Sequence, residues 1–299
     1  MIRVGVAGWD YPDWVGPVYP ERAPRGFDRL AYLSRFVDVL EINSTFYRPA
    51  DPRTAEAWLR RTEGRKAFTF TAKTHRSWTH DKEPDLATVV PETLLGLAPL
   101  RDAGKLGALL VQFPQSFRRT PEALDKLRAL QGRLEGWPTV VEVRDISWDE
   151  DEAAAWFREQ DLGWCVVDQP GMRRDGARAT VPARPRVTSG VAYLRLHGRN
   201  ARDWFRKDAG RDARYDYLYR PDQMAKMAEV VREMEPQAKE LFAVQNNHFR
   251  GKALANALML RHLLGEEQPA APEGLLRAYP ELEGLVSVEQ PGLFPGTPE

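Results

Sequence analysis

Eight short apolar segments recur along the chain, and most of them are rich in Val, Leu or Phe. A short and continuously apolar run is typical of a β-strand whose two faces are both buried. We therefore predict strands at residues 3–8, 39–44, 68–73, 108–113, 139–144, 163–168, 191–198 and 240–247.

Between these strands lie segments in which apolar residues recur at helical spacing: 27–36, 54–61, 86–100, 121–134, 150–160, 221–235 and 251–264. Two helix starts carry a further signal, because Asp51-Pro52 and Thr120-Pro121 each place a capping side chain before a proline. Strand and helix alternate, which predicts an α/β fold with parallel strands. Eight such units predict a single TIM-type (β/α)8 barrel over residues 1–299.

Two segments depart from this regular pattern. Residues 169–190 contain Gly and Pro and lack an apolar stripe, so we predict that the helix after strand six is missing or short. The Pro-rich C-terminal tail, residues 266–299, is predicted to pack on the barrel or to trail from it.

Composition narrows the choice of partners. Lys plus Arg and Asp plus Glu each number 43, so no overall charge draws the protein to nucleic acid or to an anionic membrane. A single cysteine, Cys165, permits neither an intramolecular disulfide nor a cysteine metal cluster. No apolar run is long enough to span a bilayer, and the N terminus lacks a signal-peptide pattern. We predict a cytoplasmic protein with no membrane partner, of an oligomeric state that the sequence leaves open.

Polar residues cluster at the carboxyl ends of the predicted strands, where TIM barrels form their active sites. Three strands carry polar residues two positions apart, which places both on one side of the strand. These pairs are Glu41 with Asn43, Glu142 with Arg144, and Arg195 with His197. Other strand ends and loops add Tyr47, Lys73, His80, Gln112, Trp148, Asp168, Asn246 and Asn247.

Acid–base chemistry is the hypothesis that these residues favour. Glu41, Glu142 and His197 are the catalytic candidates, because a neighbouring charge or burial shifts a carboxyl pKa and histidine titrates near neutrality. The other residues of the cluster are candidates for binding the substrate, and the cations among them favour an anion such as phosphate. In the alternative interpretation, the same charges form a buried ion network that ties the barrel together.

No cofactor is predicted. A metal site built from Glu41, Glu142, Asp168 and His197 or His248 is the alternative, but Arg144 and Arg195 in the same layer would repel a cation. A Schiff base on Lys73 is a further alternative.

Seven stretches of the chain resemble the YecE-like family, also called domain of unknown function 72. They are GWDYPDW, EINSTFY, FTFTAKTHRSWTH, QFPQSF, VEVRDISW, YLRLHGR and NNHFRGKALANAL, and they occur in family order over most of the chain. The resemblance implies a TIM-type barrel related in shape to sugar isomerases and to barrel endonucleases, in a family without an established activity. Three positions depart from the family pattern: Ala7 replaces Ser or Thr, Asp145 replaces His, and Gln245 replaces Phe.

Three functions remain open at this point. The first is an isomerase-like or hydrolase/lyase-like enzyme that acts on a small anionic substrate, such as a sugar phosphate or a nucleotide. The second is a nucleic-acid binder or repair-type nuclease, which would use the basic and aromatic loop at residues 199–220. The third is a ligand-binding protein without catalysis.

Overall fold

The computed structural model describes residues 1–204, 206, 208 and 210–289, and within them eight parallel strands close into a barrel. Each strand is hydrogen-bonded to its sequence neighbours, and the last strand pairs with the first. The TIM-type barrel prediction is therefore confirmed. The barrel strands are β1 Ile2–Ala7, β2 Val39–Ile42, β3 Thr69–Lys73, β4 Leu106–Gln112, β5 Thr139–Glu142, β6 Gly163–Asp168, β7 Val191–Leu196 and β8 Glu240–Gln245.

Helices lie between most consecutive strands. They are α1 Arg29–Leu33, α2 Pro52–Arg61, α3 Ser77–His80, α4 Leu86–Asp102, α5 Pro121–Gln131, α6 Asp151–Glu159, α7 Ala201–Trp204, α8 Arg211–Arg214, α9 Pro221–Met234, α10 Lys252–Leu263 and α11 Glu273–Ala278. Both predicted capping signals are confirmed, since Asp51 accepts a hydrogen bond from the backbone of Arg53 and Thr120 accepts one from Ala123.

Several strands end earlier than the sequence predicts. β2 ends at Ile42, β5 at Glu142 and β8 at Gln245, each two residues before the predicted end. The chain turns as soon as it leaves the barrel, and Asn43 already has helical backbone angles. The polar residues at these positions therefore begin the loops above the barrel.

The connection from β6 to β7 contains no helix, which confirms the prediction for this segment. It forms a two-residue antiparallel hairpin, Arg173–Arg174 with Ala177–Arg178, whose turn residues Asp175 and Gly176 both have positive φ. The chain then runs past the residues that follow β5. There the Val181 N–H donates to the Arg144 carbonyl, and the Ile146 N–H donates to the Ala179 carbonyl.

Two apolar layers form the core. The outer layer lies between the strands and the helices. The inner layer fills the barrel itself with Ala7, Val39, Ala108, Leu110, Val140, Cys165, Val167, Tyr193, Phe242 and Val244. The charged residues Glu41, Glu142 and Arg195 lie above this layer, toward the carboxyl ends of their strands.

The described part of the tail packs against the loop after β1. A Cβ on Gly274 of α11 would lie 2.0 Å from the carbonyl oxygen of Gly16, and the Tyr279 hydroxyl donates to the Arg250 carbonyl. Residues 290–299 of the predicted tail lie outside the described residues. Within the described part of the chain, no helix has both the length and the apolar character needed to cross a membrane.

Candidate functional site

Arg195 lies at the centre of a buried ion network at the carboxyl end of the barrel. Its Nε and Nη2 donate to the two carboxylate oxygens of Glu41, at 2.8 and 2.5 Å. Its Nη1 donates to Oε2 of Glu142 at 2.8 Å. Strands β2, β5 and β7 supply these three side chains, so one guanidinium group links strands on different sides of the barrel.

A second set of contacts occupies Oε1 of Glu142. Arg144 approaches this oxygen with Nε at 2.7 Å and with Nη2 at 2.5 Å, and His197 Nε2 lies 3.3 Å away. Glu41 in turn accepts the hydroxyl hydrogen of Tyr193 at 2.9 Å. Both glutamates have no exposed surface, and all four of their carboxylate oxygens have partners.

This arrangement fixes the charge of the network. Burial alone would raise the pKa of Glu142, but the guanidinium groups of Arg144 and Arg195 outweigh it and hold that pKa well below its usual range. Burial lowers the pKa of His197 to about 3, so the ring is neutral at pH 7. Asn246 Nδ2 lies 2.8 Å from Nδ1 of His197. If that nitrogen accepts, the ring proton is on Nε2 and faces Glu142.

Lys73, at the end of β3, is the exception to this pairing. Its Nζ lies 3.6 Å from the ring centroid of Phe46 and forms no hydrogen bond or ion pair with a described residue. Burial, followed by the nearby charge of Arg195, lowers the pKa of Lys73 to about 7. The amine is therefore about half protonated at neutral pH.

Lys73 lines a cavity of about 130 Å³ that lies above the ion network. Arg195 contributes to the floor, and Tyr47, which is 67% exposed, lies at the mouth. The buried Oδ1 atom of Asn43 has no hydrogen-bond partner among the described residues. The cavity is lined by Tyr11, Asn43, Phe46, Tyr47, Lys73, Gln112, Arg195, Tyr215, Asn246 and His248.

The residues singled out from the sequence fall into three groups. Six of them line the cavity: Asn43, Tyr47, Lys73, Gln112, Arg195 and Asn246. Four form the charged layer with Arg195 but are absent from the cavity lining: Glu41, Glu142, Arg144 and His197. The structure does not bring the remaining four into the lining: His80, Trp148, Asp168 and Asn247.

The residues of the third group have other contacts. Trp148 is fully buried and donates its indole N–H to the Phe117 carbonyl. Asp168 accepts hydrogen bonds from Arg199 and from the Tyr219 hydroxyl. Asn247 donates to the Tyr217 carbonyl and to Asn256, and His80 is exposed beside Phe46. These contacts hold loops in place above the barrel.

Four lining residues were not among the predicted catalytic or substrate-binding residues: Tyr11, Phe46, Tyr215 and His248, of which His248 was named only as an alternative metal ligand. Tyr11 and His248 stack with ring centroids 4.5 Å apart, and Tyr215 lies 5.1 Å from His248. Tyr11, Phe46 and His248 follow the ends of β1, β2 and β8 within four residues, whereas Tyr215 lies after α8 in the long connection that follows β7. Proximity to a strand end is a signal shared by aromatic residues that are buried elsewhere, such as Trp14 and Trp148.

The acidic side chains proposed as metal ligands are occupied. Arg195 and Arg144 bind the oxygens of Glu41 and Glu142, and Arg199 binds Asp168. Among the described residues, no group of three or more His, Cys, Asp and Glu is placed to hold a metal ion.

Comparisons with known proteins agree with this architecture. A family model described as protein of unknown function DUF72 matches residues 3–280. The UPF0759 protein YunF of Bacillus subtilis (strain 168) is 28% identical over 284 residues, which cover 89% of this chain and 96% of the relative.

Solved structures of two DUF72 family proteins have a similar fold. The one from Thermotoga maritima is 32% identical with a TM-score of 0.77, and the match covers 89% of this chain and 100% of that one. The one from Enterococcus faecalis is 26% identical with a TM-score of 0.77, and the match covers 88% and 95%. The chain therefore belongs to the DUF72 family of proteins of unknown function.

Proposed function

We propose that this protein is an enzyme that binds a small anionic substrate in the Lys73 cavity and moves protons with the Lys73 amine. The observation that carries the proposal is the state of Lys73. It is a half-buried amine at the end of a barrel strand, it lines the cavity, and it has no polar partner among the described residues. Burying an amine without a polar partner costs free energy, and such groups are found mainly at functional sites.

The charges around the cavity favour an anionic ligand. Lys73, Arg144 and Arg195 are three cations, whereas there are two carboxylates, Glu41 and Glu142, which contact the two arginines. With Lys73 protonated, the group carries one positive charge in excess. A phosphate or carboxylate in the cavity would balance this charge, in surroundings where water screens it weakly.

Lys73 is a better proton carrier than the two glutamates that the sequence suggested. Both glutamates are fully buried, and their oxygens are occupied by Arg195, Arg144 and Tyr193. The low pKa of Glu142 keeps it ionised, so it is a poor proton acceptor at neutral pH. A pKa of about 7 is close to the value at which a general base works best near neutrality. The glutamates then position Arg195 on the cavity floor.

Solvent deuterium exchange tests this function. The protein is incubated in D2O with a panel of phosphorylated aldoses and ketoses and of hydroxy and keto acids, and loss of carbon-bound protons is followed by ¹H NMR. We expect exchange with at least one member, at a rate that rises with pH through about 7 and then levels off as Lys73 loses its proton.

The matched control is Lys126→Met. Lys126 is also half-buried, its pKa is lowered by burial, and its Nζ lies 5.9 Å from the Phe113 ring centroid, but it is outside the cavity. Lys73→Met should abolish exchange and Lys126→Met should preserve it. Equal exchange by Lys73→Met and the unmodified protein, or no exchange with any compound, would contradict the proposal.

A further inference from the structure

We propose that Lys73 is also a nucleophile, which forms a Schiff base with an aldehyde or ketone group of the substrate. This inference rests on the proposed function and names the substrate class: a small carbonyl compound that also carries a phosphate or carboxylate. Covalent attachment demands a free amine held where a ligand can reach it, and the amine must not be bound to a carboxylate.

The ion network explains why Lys73 pairs with no carboxylate in the part of the chain that the structure describes. The guanidinium groups of Arg195 and Arg144 occupy the carboxylate oxygens of Glu41 and Glu142 that would otherwise attract an ammonium group. The same two cations, together with burial, favour the neutral form of the amine. At pH 7 about half of the Lys73 side chains are free amines, against roughly one in a few thousand for an ordinary lysine.

The neighbouring strand supplies a place for the rest of the ligand. Ile42 is paired with Ala72, and the residues that follow them along the chain, Asn43 and Lys73, both line the cavity. The unpartnered Oδ1 of Asn43 can accept a hydrogen bond from a hydroxyl group next to the carbonyl carbon. Arg195 presents positive charge on the floor of the same cavity.

The reaction balances without any other reagent. The lone pair of the Lys73 amine attacks the carbonyl carbon, the C=O π electrons move to oxygen, and a carbinolamine forms. The oxygen takes the proton that the attacking nitrogen releases; the resulting hydroxyl group takes a second proton from solvent and leaves as water, while the nitrogen lone pair forms the C=N bond of a protonated imine. The protonated imine withdraws electrons from the adjacent carbon and makes its C–H bond more acidic, so that this proton can pass to solvent; in the imine the Lys73 nitrogen itself no longer accepts a proton.

Borohydride trapping tests the inference. The protein is treated at pH 7 with sodium borohydride and either pyruvate or dihydroxyacetone phosphate, digested with trypsin and analysed by mass spectrometry. Reduction converts an imine into a stable secondary amine, and trypsin no longer cleaves at the modified lysine. We expect the adduct in the peptide of residues 67–76, with at least ten-fold more labelling at Lys73 than at Lys126.

Two variants separate the possible results. Lys73→Arg keeps the positive charge but lacks a nucleophilic amine, so it should lose the adduct, whereas Lys126→Met should retain it. Equal labelling of all lysines, or no adduct while deuterium exchange still depends on Lys73, would overturn the Schiff base and leave the proposed proton transfer standing. Absence of both exchange and adduct would refute both proposals.

Discussion

Replacing Arg195 with methionine should destabilise the fold by about 3–5 kcal/mol, because it leaves the buried carboxylate of Glu41 without its counter-ion. The side chain makes two hydrogen bonds to Glu41 and one to Glu142, and neither glutamate has exposed surface. After the substitution Glu142 still has Arg144, but Glu41 has only the Tyr193 hydroxyl. For a domain with a typical stability of about 5–15 kcal/mol, the loss is a large fraction of the total.

Urea unfolding followed by circular dichroism at pH 8 measures the loss. The control is Arg277→Met, because Arg277 forms an exposed i,i+4 pair with Glu273. Such a pair contributes at most about 0.5 kcal/mol, so this variant should unfold at nearly the same urea concentration as the unmodified protein. A loss of under about 1 kcal/mol in Arg195→Met would refute the reasoning.

The effect should also depend on pH in a defined direction. In the unmodified protein the pKa of Glu142 lies below its unfolded value, so its stabilising contribution is present above about pH 4.3 and is lost as the pH falls further. Arg195→Met removes one of the two cations that lower this pKa and leaves burial, which raises it. The folded variant then binds a proton more readily. The difference in free energy of unfolding between Arg195→Met and the unmodified protein should therefore become smaller as the pH is lowered from 8 to 5.

A double variant identifies the cause of the loss. Glu41→Gln removes the carboxylate that Arg195→Met leaves exposed to the low dielectric of the barrel. The double variant should therefore be more stable than Arg195→Met alone, although it carries one more substitution. If Glu41→Gln lowers the stability of Arg195→Met further, the uncompensated charge is not the source of the loss.

Three further substitutions test the packing around the site, each by the same urea unfolding assay. Gln245→Leu should stabilise the protein by about 1–3 kcal/mol, because both amide atoms of this fully buried side chain have no partner among the described residues; an unchanged midpoint would contradict this. Gly5→Ala should destabilise it by about 3 kcal/mol or fail to fold, since the new Cβ would lie 1.8 Å from the Val39 carbonyl oxygen. Asn256→Ala should cost about 2–4 kcal/mol, because the Asn256 amide pairs with both the N–H and the C=O of Tyr219; a loss below 1 kcal/mol would show that water replaces it.

The barrel could be predicted because each strand and each helix shows its apolar pattern within its own short segment of sequence. Buried parallel strands are continuously apolar, and the segment after β6 lacked an apolar stripe, so its missing helix could be predicted before the structure was known. The strand ends were less predictable. Asn43 and Arg144 follow apolar residues without a break in pattern, and only the geometry of the barrel rim makes the chain turn there.

The candidate site was predictable as a set of residues but not as an arrangement. Glu142 and Arg144, two positions apart, do meet, and Glu41 and Arg195 join this cluster from two other strands. Which cation binds which carboxylate depends on side-chain reach and on distances of a few tenths of an ångström. For that reason the sequence ranked the glutamates first, whereas in the structure Lys73 lines the cavity and its amine has no hydrogen-bond or ion-pair partner among the described residues.

The helix-free connection after β6 has a consequence for protein engineering. In most TIM barrels the loops above the strands are separate modules, and one can be exchanged without altering its neighbour. Here residues 179–181 are hydrogen-bonded to the backbone of Arg144 and Ile146, in the loop that follows β5. Gln115, from the loop after β4, donates to both the Arg144 and the Ala179 carbonyls. Three consecutive loops thus form one unit, and a graft that changes any of them has to preserve the other two.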